Sequence, residues 1–285
     1  MTEIRYDPIR CLDPSHRSQS SDKAWDECQF KANAIATGKA KATFPPRVAV
    51  GSAVDFIAKE RLLGRDPDSE TTVLKYLQEC GSPVSALDEA TVKTNALLDL
   101  WEDQVRPEWE RVGIWGVEVE EHFPIDIAGA IIYHVHIDVV LNDGTVRDLK
   151  TGDERLGLDR AVTDVQLTTY AAAIWSVYGH IPPKVGLDGL IYANPPKDVK
   201  EVRPHATKPW LDRQDSTRTE AQLKSWLASA SRREYSRSYA KASGILQTQG
   251  RTAPYACKGC PAQPLCPEWQ GWEGMYEGSI NHGAA

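Results

Sequence analysis

The sequence has no run of about 18 uninterrupted apolar residues, the length that a membrane-spanning helix requires. Residues 1–25 are polar and lack the apolar segment of a secretory signal. Internal repeats and low-complexity tracts are also missing. These absences predict a cytoplasmic protein with no membrane partner.

Positive charge is in deficit, because 33 Lys and Arg face 40 Asp and Glu for a net charge of −7. Residues 202–251 depart from this balance with ten Lys/Arg and four Asp/Glu, a local net of +6 that leaves about −13 for the rest. A locally basic stretch on an acidic chain fits a nucleic-acid binder with an acidic metal pocket. On this feature alone, a solvated helix face is the favoured interpretation.

Length and composition predict a folded core. The chain has 285 residues, of which 41% are hydrophobic and 26% charged, so one sizeable core can form. Six cysteines in a cytoplasmic chain are more typical of metal ligands or thiols than of disulfides.

The apolar periodicity changes along the chain and predicts an α/β fold. Period-two alternation predicts strands within 114–150, and a proline-bounded apolar run predicts another at 185–193. Helical patterns occupy five further ranges, namely 21–36, 51–63, 84–105, 163–178 and 220–246. This order indicates an α/β core with a helical flank.

A hairpin carries the most informative residues. Asp148 and Lys150 are two apart and share one face of a strand. A three-residue turn with Gly144 in the left-handed conformation pairs Leu141 with Thr145, and therefore Asp138 with Asp148. Directly opposed side chains lie about 5 Å apart, so the two carboxylates are expected to converge.

Two converging carboxylates favour a divalent cation, because without one their charges repel. Oxygen ligands of this kind suit Mg²⁺ or Mn²⁺. Lys150 can then orient an attacking water or neutralise charge on a phosphate. The alternative is a solvent-facing hairpin with charged outward positions.

Gln166 and Tyr170 follow on a predicted helix, four residues apart and so on one face. Each has a structural alternative. Gln166 fits a capping box with Thr163, and Tyr170 fits core packing.

Three cysteines near the C-terminus, Cys257, Cys260 and Cys266, form an incomplete ligand set. The fourth ligand could be one of several residues for either zinc or an iron–sulfur cluster, namely Cys11, Cys28, Cys80, His205 or His282. Spacing does not choose between the two metals. Three buried structural thiols are the remaining alternative.

Taken in order, these segments resemble the RecB-like branch of the PD-(D/E)xK nuclease superfamily. The similarity is greatest to its iron–sulfur members, which include CRISPR adaptation nucleases, the nuclease domain of AddB and phage exonucleases. The matching segments are Ile137-Asp138, Asp148-Leu-Lys150-Thr-Gly152, Gln166-Leu-Thr-Thr-Tyr170 and the three cysteines, with Cys28 in an N-terminal helix.

The resemblance implies a restriction-endonuclease-like mixed central sheet flanked by helices, with a helical insertion and a C-terminal cysteine knuckle. It covers about residues 20–270 and implies a single nuclease domain over 1–285. The expected parts are an N-terminal helix at 20–44, a helical flank at 45–110, the catalytic α/β core at 111–200, a basic helical segment at 201–250 and a Cys-rich tail at 251–285.

The resemblance also implies the site residues. Asp138 and Asp148 would bind the metal with the Leu149 carbonyl, and Lys150 would be the catalytic lysine. Gln166 and Tyr170 would contact DNA or position the active-site groups. Four cysteines would hold a [4Fe–4S] cluster in preference to Zn²⁺, namely Cys28, Cys257, Cys260 and Cys266.

The family histidine is missing, and Asp55 occupies its place. Asp55 can also bind Mg²⁺, so we expect it to be a metal ligand, with His134 and His136 as possible substitutes. The register above places His136 opposite Lys150. Glu118, Glu120 and Glu121 lie near in sequence but receive no role.

The leading hypothesis is a deoxyribonuclease, an exonuclease acting on DNA that is single-stranded or has a free end. Residues 203–241 would carry the strand, with Trp210 or Trp226 stacking on bases, although core packing is the commoner fate of tryptophan. Two alternatives are a catalytically inactive nucleic-acid-binding subunit with the same fold and a zinc-stapled interaction protein. DNA replication, recombination, repair and CRISPR adaptation all employ such nucleases, and a compact chain without a helicase portion also suits a phage-encoded enzyme.

Overall fold

The computed structural model describes residues 16–17, 28, 44–125, 132–192, 208–242, 260, 262 and 266, with only the backbone of 16–17 and 236–242. The chain divides into two compact units, Met1–His16 with Phe44–Ala228 and Arg17–Thr43 with Ser229–Ala285. In the second unit, Cys28 is buried while Cys260 and Cys266 are half-buried. Cys257 and most of the predicted helix 21–36 and tail 251–285 lie outside the described residues.

A helical flank precedes the sheet. It consists of α1 (Pro46–Leu62), α2 (Ser69–Glu79), a short 3₁₀ turn (Val84–Ala86), α3 (Leu87–Gln104) and α4 (Arg106–Val112). α1 begins before the predicted Gly51, because Pro46 occupies its first turn, where a proline is favoured. The Asp68 side chain caps α2 by accepting from the Thr71 N–H at 2.7 Å.

The sheet is mixed and has six strands among the described residues. They are β1 (His16–Arg17), β2 (Ile114–Pro124), β3 (Ile132–Leu141), β4 (Val146–Gly152), β5 (Val185–Ile191) and β6 (Trp210–Ser216). The strand order is β1-β3-β4-β5-β6, and β2 also pairs with β3. β4 and β5 are paired in parallel, and α5 (Arg160–Thr163) and α6 (Val165–Tyr178) make the crossover between them. This arrangement confirms the predicted α/β class.

The hairpin between β3 and β4 has the predicted turn. Gly144 adopts a φ of 83°, which glycine reaches without steric cost. The Leu141 N–H donates to the Thr145 carbonyl at 2.9 Å. The ladder continues to Val139 opposite Arg147, and the next step in that register brings Asp138 opposite Asp148.

The prediction of a wholly helical basic segment at 201–250 is wrong, because β6 lies within it. β6 pairs antiparallel with β5 over its whole length. Its polar sequence hides the strand, because Asp212, Arg213 and Asp215 form ion pairs with neighbouring elements instead of alternating with apolar residues. α7 (Glu220–Ala242) follows, and residues 243–246 of the predicted helix lie outside the described part.

The core of the first unit lies between the helical flank and the sheet. Ile57, Leu77, Leu97 and Trp101 are nearly or fully excluded from solvent and pack in one cluster with Val139, Leu141 and Leu149 of the hairpin. The β3–β4 hairpin is therefore anchored by its apolar positions. Across the described residues, every helix falls short of the length and apolar character needed to cross a membrane.

Candidate active site

Asp138 on β3 and Asp148 on β4 converge as the predicted register requires. Each carboxyl group shifts the pKa of the other, and the Leu149 N–H donates to Asp138 Oδ2 at 3.4 Å. The Asp148 side chain is fully buried, and that of Asp138 is 13% exposed. The hairpin thus brings two acidic groups together in a site shielded from water.

Burial and then the charge of Asp138 raise the pKa of Asp148 well above its ordinary value. Burial also tends to raise the pKa of Asp138, but the charge of Lys59, the hydrogen bond with Asp148 and the charge of Lys150 outweigh it and lower that pKa. Two carboxylates this close do not both ionise readily. Asp148 is therefore the carboxyl that takes up a proton more readily, and a divalent cation between the two groups would offset their repulsion.

A closed ring of three hydrogen bonds and one ion pair links Asp148 to α6. The Lys150 Nζ lies 2.6 Å from Asp148 Oδ2 and donates to Gln166 Oε1 at 2.9 Å. The Gln166 amide donates to the Tyr170 hydroxyl at 2.5 Å, and that hydroxyl donates to Asp148 Oδ1 at 3.4 Å. The ring fixes the lysine and the carboxyl relative to each other.

The start of α6 explains why Gln166 is available for this ring. Asp164 caps the helix by accepting from the Gln166 and Leu167 N–H groups. The alternative capping box between Thr163 and Gln166 is therefore wrong, because Asp164 already satisfies the N–H groups of the first turn. The Gln166 side chain is left to point towards Lys150.

A second acidic group adjoins Asp138 and contains the expected ligand Asp55. Asp55 on α1, Glu118 on β2 and Asp138 bring carboxylate oxygens within 4.8 Å of one another. The Lys59 Nζ contacts all three, at 2.7 Å from Asp55, at 2.8 Å from Asp138 and directly against Glu118. An ammonium therefore lies among the oxygens that are positioned to bind a metal.

The charges in this group perturb one another strongly. Burial and then the charge of Asp138 raise the pKa of Asp55 to about 7, although Lys59 opposes the shift. Burial tends to lower the pKa of Lys59, but the three carboxylates outweigh it and raise that pKa well above its ordinary value. Lys59 is therefore a permanent cation.

Glu118 reaches the site through an unusual backbone conformation. Its φ is 53°, one of two positive values among the described non-glycine residues. It lies between the register pairs Val117–Val139 and Val119–Ile137, and so faces Asp138 across the strands. Such conformations cost free energy and persist at functional sites.

These residues fit a divalent cation. Asp55 Oδ1 is buried and has no hydrogen-bond partner among the described residues, which leaves an acceptor that a cation can satisfy. The donors are carboxylate oxygens, the ligands that Mg²⁺ and Mn²⁺ prefer. Asp55, Asp138 and Asp148 are the predicted ligands, and Glu118 is an additional donor.

A cleft of about 1240 Å³ opens beside the site. Asp55 and Lys150 lie on its wall, together with four basic residues, namely Arg47, Lys93, Arg155 and Arg160. α1 approaches β4 closely here, because a Cβ on Gly51 would lie only 2.7 Å from Thr151 Oγ1. The cleft therefore combines acidic donors with cations that suit a phosphate backbone.

The structure brings together the six side chains that the sequence nominated for the site, Asp55, Asp138, Asp148, Lys150, Gln166 and Tyr170. Sequence reasoning missed Lys59 and gave Glu118 no role. The only local signal for Lys59 was its place four residues after Asp55, on the same helix face. Glu118 could be placed only from the register between β2 and β3.

The two histidines considered as substitute ligands lie elsewhere. His136 faces Glu120 on β2, and the β3–β4 ladder ends at Val139 before it reaches the predicted partner Lys150. The His134 Nε2 lies 2.8 Å from Glu120 Oε1. The pairing of His136 with Lys150 lies beyond the two pairs of the β3–β4 ladder, and so it stays a prediction.

The two tryptophans proposed to stack on bases differ in their surroundings. Trp226 packs against the rings of Phe123 and Tyr133, at 6.2 and 5.2 Å between centroids. It therefore has the core-packing role that sequence reasoning named as the commoner one. Trp210 is 37% exposed on β6.

The family comparison agrees with this geometry. The family model of the PD-(D/E)XK nuclease superfamily matches residues 16–267. The chain therefore belongs to the PD-(D/E)XK nuclease superfamily, whose members act on nucleic acids. Comparison with curated proteins finds no match.

Solved structures provide a fold comparison. A crystal structure of a proposed exonuclease from Eubacterium rectale is similar with a TM-score of 0.56 and 12% identity, covering 91% of this chain and 93% of that one. At this identity the likeness supports the fold alone. The structure of SSO0001 covers 88% of this chain and 96% of its own at 16% identity, but its TM-score of 0.36 carries no argument.

Proposed function

We propose that this protein is a metal-dependent DNA exonuclease. The observation that carries the proposal is the convergence of Asp138, Asp148 and Lys150 beside the acidic group that contains Asp55. The name of the Eubacterium rectale neighbour, a proposed exonuclease, supports action at strand ends.

Each residue has a defined task in this proposal. Asp55, Asp138, Asp148 and the Leu149 carbonyl would hold Mg²⁺ or Mn²⁺, which when bound supplies an activated water and offsets charge on the phosphate. Lys150 orients that water or neutralises the developing negative charge. Gln166 and Tyr170 are positioning residues that hold Lys150 and Asp148 in register through the hydrogen-bonded ring.

The substrate would approach along the cleft. Arg47, Arg155 and Arg160 are exposed there and can neutralise successive phosphates. This proposed DNA-binding surface differs from residues 203–241, which the local positive charge predicted to bind the strand. Residues 203–207 of that stretch lie outside the described part.

The test compares wild type with Asp148→Asn, which keeps the shape of the side chain but removes its charge. With Mg²⁺ or Mn²⁺, wild type should shorten end-labelled linear single-stranded DNA and leave a closed single-stranded circle intact. Asp148→Asn should be inactive, and Asp66→Asn, at an exposed carboxylate on another loop, should remain active. Equal activity of wild type and Asp148→Asn would refute the proposal, and cleavage of the circle would exclude an exonuclease.

A second candidate is a catalytically inactive DNA-binding subunit. The specific observation in its favour is Lys59, whose ammonium already contacts the three carboxylates of the metal site. A permanent internal cation can replace a metal structurally without replacing its chemistry. Wild type and Asp148→Asn that bind DNA equally and are both inert under all divalent ions would establish this alternative.

We also propose that Cys28, Cys257, Cys260 and Cys266 hold a [4Fe–4S] cluster. Support comes from the division of the chain, because the segments 17–43 and 229–285 that carry these cysteines belong to one compact unit. Thiolates are the usual ligands of such clusters. Anaerobic purification should yield a brown protein with four iron and four sulfide per chain, whereas one zinc ion and no iron would establish the zinc-stapled alternative.

A further inference from the structure

A compact polar cluster lies on β2 and β3 beyond the acidic site. Glu120 and His122 are two residues apart on β2, and His134 faces His122 on β3. Alternation along the strands places all three side chains on one sheet face. Along β2 the cluster begins about 7 Å from Glu118, two residues away.

The ligand-type atoms of this cluster converge. The Glu120 Oε1 lies 3.1 Å from His122 Nε2 and 2.8 Å from His134 Nε2. One ligand atom from each of the three residues lies within 4.8 Å of the other two. Two imidazole nitrogens therefore face one carboxylate oxygen from two adjacent strands.

We propose that Glu120, His122 and His134 form a second metal site, which takes a first-row divalent transition-metal ion such as Zn²⁺. Two imidazoles and one carboxylate are a recurrent ligand set for such ions. The softer nitrogen ligands distinguish this proposed site from the group of carboxylate oxygens at Asp55, Glu118 and Asp138.

The spacing already approaches that of a coordinated ion. Zinc bonds of about 2.0 Å in a tetrahedral arrangement separate ligand atoms by about 3.3 Å. The two oxygen–nitrogen distances of 3.1 and 2.8 Å therefore need to lengthen by only about 0.2 and 0.5 Å. Because paired strands carry the ligands, little ordering is required on binding.

Burial and ring packing support a site with one open position. The side chains of His134 and Glu120 are 4% and 14% exposed, whereas His122 is 29% exposed. The His122 ring stacks on the His134 ring at 4.4 Å between centroids. The His136 ring packs edge-on against the same His134 ring at 4.3 Å between centroids. A water or a substrate group can therefore reach the ion from the His122 side.

The site would clamp β2 to β3 next to the catalytic hairpin. This second metal site does not depend on the proposed function, because none of its three ligands belongs to the candidate active site formed by Asp55, Asp138, Asp148 and Lys150. A metal-free alternative exists, in which Glu120 simply accepts hydrogen bonds from two imidazoles. The experiment must therefore detect coordination and not activity.

The test uses Co²⁺ alone, added to the chelator-treated full-length protein and followed by paramagnetic proton NMR. Each Co²⁺-bound imidazole gives one far-shifted, exchangeable N–H signal, whereas bound thiolates and carboxylates give none. Wild type should show two such signals. His122→Gln and His134→Gln should each lose signal, and Glu120→Gln should weaken Co²⁺ binding by more than about tenfold.

Two controls locate the site. His180→Gln, at an exposed histidine outside the cluster, and Asp148→Asn, in the acidic site, should both retain the two signals. The proposal is overturned if wild type shows no exchangeable imidazole signal, or if Asp148→Asn abolishes both. It is also overturned if both signals survive in His122→Gln, because His122 is the least buried member of the cluster and its substitution should be the best tolerated by the fold.

Discussion

The Lys59 ammonium lies 2.8 Å from Asp138 Oδ1, although the two residues are on different elements and far apart in sequence. The same nitrogen binds Asp55, so one cation neutralises two predicted metal ligands. A divalent ion that uses these oxygens must displace the ammonium. Metal affinity at this site is therefore set partly by how tightly the protein holds its own lysine.

Replacing Lys59 should separate its effect on stability from its effect on metal affinity. In the presence of a chelator, Lys59→Met leaves Asp55, Glu118 and Asp138 without their cation. It should lower the free energy of unfolding by about 2 kcal/mol. This loss is smaller than for a fully buried ion pair, because the side chains of Asp55 and Glu118 are partly exposed. Mn²⁺ should then bind more tightly, by roughly 30-fold for about 2 kcal/mol. Denaturant unfolding and Mn²⁺ titration measure the two quantities.

Lys224→Met is the matched control, because Lys224 forms an exposed pair with Glu220 on α7. It should change stability by less than about 1 kcal/mol and leave Mn²⁺ binding unchanged. If Lys59→Met weakens Mn²⁺ binding, Lys59 supports the metal instead of competing with it.

The backbone at Glu118 yields a second prediction. Glycine reaches a φ of 53° without steric cost, and alanine does not. Glu118→Gly should therefore be more stable than Glu118→Ala by about 1 kcal/mol. Both variants lose the contact with Lys59, so their difference reports the backbone alone.

At Glu121, which has no positive φ and lies on the same strand, the order should reverse, with alanine more stable than glycine. Both substitutions there remove the hydrogen bond from the Tyr178 hydroxyl equally. The denaturant midpoints of the four variants measure the difference in stability between glycine and alanine at each position. Equal stability of the two Glu118 variants would show that the conformation is not strained.

The hydrogen-bonded ring gives a third prediction, which rests on the proposed nuclease function. Gln166→Leu removes the acceptor of Lys150 and the donor to Tyr170. Misplacement of a catalytic group by about 1 Å costs about 100-fold in rate, so kcat should fall by that order. Mn²⁺ affinity should stay unchanged, because Gln166 is not a ligand. A parallel loss of Mn²⁺ binding would show that the ring maintains the metal site itself.

The hairpin was predictable because its determinants are local. Turn residues Asn142, Asp143 and Gly144 fix the register, and the register fixes which residues oppose Asp138 and share its face. The Gln166–Tyr170 pair follows from helical spacing in the same way. These parts of the site need no knowledge of the tertiary fold.

The remaining parts depend on packing between distant elements. Lys59 reaches Asp138 only because α1 packs against the sheet, and nothing within residues 51–63 specifies that contact. Glu118 depends on one backbone angle that its neighbours impose. β6 is hidden because its polar side chains are satisfied by ion pairs, so it has none of the apolar alternation by which strands are recognised.

One of those ion-pair partners, Asp188 on β5, yields a fourth prediction. Asp188 is fully buried and accepts from Arg147 at 2.8 and 2.7 Å, from Arg213 at 2.5 Å and from the Trp109 indole at 3.1 Å. Asp188→Ala removes the fully buried counter-ion of Arg147, whose buried guanidinium then keeps only the partly exposed Asp215. It should lower the free energy of unfolding by about 3–5 kcal/mol, measured by denaturant unfolding.

The contrast is Lys184→Ala, which removes an exposed partner of Asp215 at 3.2 Å. It should cost less than about 1 kcal/mol. A small effect at Asp188 as well would mean that the buried network contributes little to holding β4, β5 and β6 together.

The last prediction concerns His134 in chelator-treated protein. Burial, and then the neighbouring His136 and His122, lower the pKa of His134 from 6.5 to about 4. The unfolded chain takes up this proton at the ordinary value, so the stabilising contribution is full above pH 6.5 and is lost as the pH falls towards 4. At pH 5, unfolding should take up about one proton fewer in His134→Gln than in wild type, as measured by calorimetry in buffers of different ionisation enthalpy. Imidazole ¹⁵N NMR should show that His134 is neutral in the folded protein at pH 5. A protonated His134 ring at that pH would contradict the prediction, because burial and the neighbouring histidines are expected to disfavour the imidazolium form.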